Sequence, residues 1–278
     1  MIERILTAWS WYPSVIFGAL ALLVLYLAAT RLHPPPRFGW FVLGVLTVLL
    51  ALVSPLDILS DEYLFSAHMI QHLLLVLVAP PLLLIGLPEK PVRQFVERPV
   101  PSRIEGRLGR PAIAWLLGIG TLWLWHLPGL YAATLADERV HIAEHLSFIA
   151  TGVIFWWPLV GPGASRPLNT FYAVAYLFTA ALANSLLGII LTFAPALIYR
   201  GYLAPADDLG ILPLLRERWG LSPLADQQLG GLFMWVGGGL VFLTAILAIL
   251  VRWYADPGKN GKDPKTGDLS RPSPKEGG

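Results

Sequence analysis

Seven stretches of this chain are apolar over roughly the length that crosses a bilayer. They cover about residues 13–30, 39–55, 64–87, 112–128, 140–160, 170–196 and 228–251. A membrane span needs about 20 mainly apolar residues. In hydrocarbon the backbone must satisfy its own hydrogen bonds, so such stretches fold as helices. The expected fold is all-α: a polytopic membrane protein, with a bundle of seven transmembrane helices as one domain over residues 1–255. Composition agrees, since 55% of the residues are hydrophobic and only 14% are charged, against about 25% charged in a soluble domain. The first stretch is longer than the 7–15-residue apolar core of a signal peptide and reads as a span. Residues 256–278 are rich in Lys, Gly, Pro, Asp and Ser, and are expected to form a disordered cytoplasmic tail.

Basic residues orient the bundle. Fifteen of the twenty Lys and Arg fall in one alternating set of connections and the tail; the other set holds only Arg4, Arg139, Arg200, Arg216 and Arg218. The positive-inside rule places the rich set in the cytoplasm. A multi-pass plasma-membrane protein follows, with its N-terminus outside and its C-terminus cytoplasmic. Asp57, Asp61, Glu62, Asp137, Glu138, Asp207 and Asp208 then lie outside. In the long outer connection 197–227, the run Ile211 to Leu215 and Trp219 are expected to lie in the membrane interface.

Histidines mark the outer ends of these spans. His68 and His72 open the third span, His126 closes the fourth, and His141 and His145 open the fifth. Each pair is spaced i, i+4, which on a helix puts both imidazoles on one face about 6 Å apart along the axis. Ionisable groups inside spans are costly and face the bundle interior or a wet cavity. A lone membrane histidine is best explained as interhelical hydrogen-bonding glue. Five in one leaflet point to a metal or cofactor. The sixth, His33, precedes Pro34-Pro35-Pro36 in a cytoplasmic connection and reads as solvated.

The chain has no cysteine, which excludes disulfides, thiolate zinc sites and cysteine-held iron–sulfur clusters. Imidazole ligands suit copper, zinc, iron and nickel. Glu144, between His141 and His145, is positioned either to orient an imidazole or to form a buried ion pair. Asp226, Gln227 and Met234 lie at the outer mouth of the seventh span. They are candidates for an entrance or for support of the ligands, although Asp226 also suits a helix cap. Met69 follows His68 but points about 100° away around the helix and reads as packing. Pro80-Pro81 is expected to kink the third span. Asn184-Ser185 reads as interhelical hydrogen bonding, and Gly237-Gly238-Gly239 as a close helix contact. No HExxH, GxSxG or phosphate-cradling glycine loop is present, so no enzyme is expected. No basic patch interleaved with aromatics points to nucleic acid.

Longer motifs carry a resemblance. Phe65-Ser66-Ala67-His68-Met69-Ile70-Gln71-His72 leads into Ala79-Pro80-Pro81-Leu82 and Gly86-Leu87-Pro88. Trp125-His126-Leu127-Pro128-Gly129-Leu130-Tyr131 is followed by His141, Glu144-His145 and Phe155-Trp156-Trp157-Pro158. Leu191-Thr192-Phe193-Ala194-Pro195 and the run Ser222 to Gly231 complete the set. Over residues 55–251 the chain resembles the multispan CtaG-type assembly factors of cytochrome c oxidase, associated with caa-type heme–copper oxidase. The single-span copper chaperone that shares the CtaG name is a different protein. The resemblance implies cytochrome c oxidase subunits as partners, and delivery or insertion of copper into the oxidase. His68, His72, His126, His141 and His145 are the ligands it would use, and five imidazoles exceed one tetrahedral shell. Two other readings remain open at this stage: a b-type heme oxidoreductase of the membrane, and a metal-free assembly scaffold.

Overall fold

The computed structural model describes residues 1–255, so the expected disordered tail lies outside the described residues. No strand occurs among the described residues. The main helices are α1 (Ile2–Thr7), α2 (Pro13–Ala29), α3 (Phe38–Val53) and α4 (Pro55–Tyr63). They continue as α5 (Phe65–Gly86), α6 (Glu89–Val96), α7 (Pro99–Leu108), α8 (Pro111–Trp125) and α9 (Pro128–Ala136). The last three are α10 (Glu138–Val160), α11 (Thr170–Thr192) and α12 (Pro223–Ala255). Six of them (α2, α4, α7, α8, α9 and α12) start on a proline. There the missing N–H is one that no helix can satisfy, and the ring pre-sets the helical φ.

Four helices are long and apolar enough to cross a membrane: α5, α10, α11 and α12. Two further pairs pass only together, α3 with α4 bent by 43° and α8 with α9 bent by 72°. The apolar α2, at 17 residues, is shorter. Large apolar side chains such as Phe17, Leu25, Phe171, Phe178 and Leu182 stand exposed on the flanks of these helices, as befits a surface covered by lipid.

Polar first turns explain where the boundaries differ from the hydropathy reading. α12 starts at Pro223, five residues before the apolar run, because the Ser222 hydroxyl caps it by accepting from the Ala225 amide at 3.2 Å. The segment Ile211–Leu215, expected at the interface, packs into the protein. Ile211, Leu214 and Leu215 are buried against Ile5, Tyr63, Leu64 and Ala67 in a second small core, while Trp219 remains half exposed.

The third span does not break at Pro80-Pro81. α5 runs on through a wide π turn at Leu74–Val78, directly before the prolines. Pro80 has no N–H for the carbonyl of Val76 four residues back. The indole Nε1 of Trp156 on α10 supplies it instead, at 3.3 Å. Gly152, one turn earlier on α10, lies over the same spot. A Cβ there would stand 2.8 Å from Pro80 Cγ and 2.9 Å from the Val76 oxygen. Ring and backbone cannot step aside, so Gly152→Ala should cost about 1–3 kcal/mol, read as a lower melting temperature in detergent. An unchanged melt would show that α5 and α10 are not packed this closely.

Asn184 donates from Nδ2 to the Met234 carbonyl at 2.7 Å, linking α11 to α12. Gly238 alone of the three consecutive glycines makes the close approach, since a Cβ there would meet Asn184 Nδ2 at 2.5 Å.

Candidate metal centre

α5 and α10 bring the two histidine pairs face to face. His68 and His72 are one turn apart on α5; His141, Glu144 and His145 share a face of α10 by their i, i+3, i+4 spacing. His126 comes from the break between α8 and α9, where Pro128 stops the first helix. All five imidazoles gather in one cluster. Ring centroids are 4.2 Å apart for His68 and His72, 4.2 Å for His141 and His145, and 5.4 Å for His68 and His141. His126 joins through His72, at 5.8 Å. His33 stays apart and exposed, with Nδ1 on the Arg31 carbonyl at 2.7 Å.

Glu144 stands at the centre of the cluster, fully buried. Its Oε2 is 3.6 Å from His68 Nε2 and its Oε1 is 3.5 Å from His72 Nε2. Both gaps are too long for hydrogen bonds. Two nitrogen or oxygen ligands at about 2.0–2.2 Å from one ion stand about 3.3–3.6 Å apart at the tetrahedral angle. The observed gaps match that separation. One donor atom from each of His68, His141, Glu144 and His145 lies within 4.8 Å of the others.

The donors are also left unused by the protein. Both ring nitrogens of His68 and of His72, Nε2 of His141 and of His145, and both Glu144 oxygens are buried without a hydrogen-bond partner. Each stranded buried polar group costs about 1–3 kcal/mol. So many converging on one point fit a positive ion better than they fit a packed core. The donor set fits a borderline ion such as copper or zinc, and the carboxylate placement allows Glu144 to bridge two ions.

The site is most open at His141. His141 is 14% exposed, the most open of the five, and Asp61 Oδ1 lies 3.7 Å from its Nε2. Asp61 Oδ1 lies 2.9 Å from the Ser60 hydroxyl, whose single proton also faces the closer Asp57 carbonyl oxygen at 2.6 Å. Tyrosines close the site beside His68. The Tyr131 ring lies 5.3 Å from the His68 ring, its hydroxyl pairs with that of Tyr202 at 2.9 Å, and Tyr202 donates to the Ser60 carbonyl at 2.7 Å. Gln71, fully buried on α5, locks the wall by donating to the Ala51 carbonyl and to Asp57.

The residues expected at the entrance or in support of the ligands have defined places. Asp226 is buried at the N-terminus of α5, whose own cap residue, Leu64, has no side chain to offer. Asp226 accepts from the amides of Phe65 (2.7 Å) and Ser66 (3.2 Å) and from the Ser66 hydroxyl. A carboxylate there also meets the positive end of the helix dipole. Gln227 holds the connection between α11 and α12, its Oε1 accepting from the Ile198 and Tyr199 amides at 2.7 and 3.1 Å. Met234 lies inside, buried at one side of a small void that Met69 and His72 also line. Met69 is more than packing: its Sδ is 3.2 Å from His126 Nε2. From sequence, Asp61 stands only among the acidic residues placed outside, and Met69 reads as packing. The signal for Asp61 was its place among the outer acidic residues; for Met69, that a thioether beside five imidazoles is itself a metal donor.

Comparison with known proteins places these motifs. Residues 19–256 match the model of a family described as cytochrome c oxidase caa3 assembly factor (Caa3_CtaG). An uncharacterized protein of Mycobacterium leprae is 24% identical over 68% of this chain and 30% of its own length. Another, from Mycobacterium bovis, is 25% identical over 91% of this chain and 40% of its own length. The chain thus spans less than half the length of these curated relatives. No solved structure matches.

Proposed function

From the premise that this chain belongs to the cytochrome c oxidase caa3 assembly factor family, we propose that it binds copper at the outer histidine cluster and delivers it to the oxidase. Glu144, His68, His141 and His145 hold the ion, with His72 on the far carboxylate oxygen. One observation carries this reading: a fully buried carboxylate between imidazoles, all with unused donor atoms, at the spacing of ligands to a common ion. An oxidase needs copper, and a cysteine-free outward-facing site can take it up and release it by exchange between imidazole and carboxylate ligands. The protein contributes binding, orientation and a dry cavity; the ion supplies the cargo.

In this reading the protein sits in the plasma membrane with seven spans, α3 with α4 and α8 with α9 each counting as one. The N-terminus is outside, where Asp61 and His141 form the door. The partners are oxidase subunits that carry or border a copper centre. Convergence of donor atoms within 4.8 Å, with Glu144 among them, favours a compact ion over a heme macrocycle. The test is copper per oxidase in membranes from cells carrying the parent chain or the variant with all five clustered histidines changed to Ala. The variant should leave the oxidase copper-deficient. Full copper and full oxidase activity with that variant would favour the metal-free scaffold.

A further inference from the structure

Beside the Glu144 centre the structure holds a second set of donors, of different chemistry. His126 Nδ1 is 2.7 Å from the Leu122 carbonyl oxygen, which the end of α8 leaves free. A carbonyl only accepts, so Nδ1 carries the proton, and Nε2 of the neutral ring presents a bare lone pair. That lone pair faces Met69 Sδ at 3.2 Å. A thioether has no proton to give. Two lone pairs therefore meet in a buried place with no hydrogen between them, an arrangement a shared cation would relieve. An ion bonded to nitrogen at about 2.0 Å and sulfur at about 2.3 Å holds them about 3.5 Å apart at the tetrahedral angle, a few tenths beyond what is seen.

The surroundings are soft as well. The chain has three methionines, and the two that follow Met1 both line one void of about 10 Å³, together with His72, Leu122 and Asn184. Met234 is almost fully buried there. His72 has both ring nitrogens unused and reaches this void as well as the Glu144 carboxylate. No carboxylate lines the void. Thioether with imidazole selects Cu(I) over divalent ions; Asn184, a neutral amide whose Oδ1 has no hydrogen-bond partner, also lines the void.

We infer that His126 and Met69, with Met234 and His72 beside them, form a second, monovalent-copper site, beside the Glu144 centre on the face of α5 that Met69 turns toward His126. The two sites share His72, which makes it the residue through which an ion would move between them. This rests on the proposal that the neighbouring centre handles copper, but its donors are separate and so is its test.

The experiment titrates the detergent-purified full chain with Ag(I), a redox-inert stand-in for Cu(I), and separately with Zn(II). Parent, Met69→Leu, Met234→Leu and Glu144→Gln are compared. Met-to-Leu swaps nearly conserve volume and leave a core folded, which a melting curve checks. Met69→Leu should weaken Ag(I) at least tenfold and leave Zn(II) unchanged; Met234→Leu should weaken Ag(I) by less. Glu144→Gln should do the reverse, losing Zn(II) and keeping Ag(I). X-ray absorption of the Cu(I)-loaded parent should show a sulfur neighbour that Met69→Leu removes. Equal Ag(I) affinity in parent and Met69→Leu, or no sulfur neighbour, would overturn the second site. Unchanged Zn(II) binding in Glu144→Gln would instead overturn the reading of the Glu144 centre and leave this one standing.

Discussion

Replacing Glu144 by Gln should remove divalent metal from the purified protein and leave the metal-free bundle melting no lower than the parent. The two halves of this result have opposite signs for one reason. With an ion present, the carboxylate neutralises charge and bridges imidazoles on α5 and α10. Loss of a ligand costs more than the about 10–100-fold in affinity that loss of an outer partner costs. Without the ion, both Glu144 oxygens are buried and unsatisfied, and a buried charge without hydrogen bonds is a burden on the fold. The amide keeps the shape and removes that charge. Metal analysis and thermal unfolding of the same two preparations check both halves. A variant that retains the parent's divalent metal, or that melts well below the parent, would contradict the role given to Glu144.

Asp226→Ala has the opposite profile: a large loss of stability by a residue that touches no metal ligand directly. Its carboxylate is the sole side-chain cap of α5 and takes two backbone amides and a hydroxyl in a fully buried place. Hydrogen bonds to a charged group are worth about 1.5–3 kcal/mol each, and a lost cap alone costs up to about 2 kcal/mol. We expect a loss of at least about 3 kcal/mol in Asp226→Ala and about half of that in Asp226→Asn, which keeps one acceptor. Because His68 sits one turn inside this helix end, metal binding should weaken in step with stability rather than separately. A stable Asp226→Ala protein that had lost its metal would return Asp226 to the entrance.

Local spacing carried much of the site and little of its surroundings. The i, i+4 pairs and their shared leaflet were legible because helical periodicity and span direction are both local properties of the chain. Glu144 was legible as a member of the group but not as its centre. Its i+3 spacing from His141 fixes the face it shares and says nothing of how closely α5 approaches. That approach depends on Gly152 lying on Pro80, a contact between residues 72 positions apart. Met69 does point away from His68, as the helix angle requires, and it points at His126 on a third helix. The angle around one helix was readable; the identity of the neighbour was not. Asp226 misled for the same reason, since a polar residue at a span mouth reads alike whether it lines an opening or caps a helix 160 residues away. At Pro80 and Pro81 the sequence shows the lost N–H groups but not the Trp156 indole that serves the freed carbonyl.

Elemental analysis of the purified protein, beside the variant with His68 and His72 both changed to Ala, tests the central claim most directly. Each preparation is offered copper under reducing and under oxidising conditions, then stripped of loosely bound metal. The account predicts copper in the parent and its loss in the variant, with both proteins folded. No copper in either, or the same copper in both, would contradict it and leave a histidine cluster that serves the assembly of the oxidase without holding its metal.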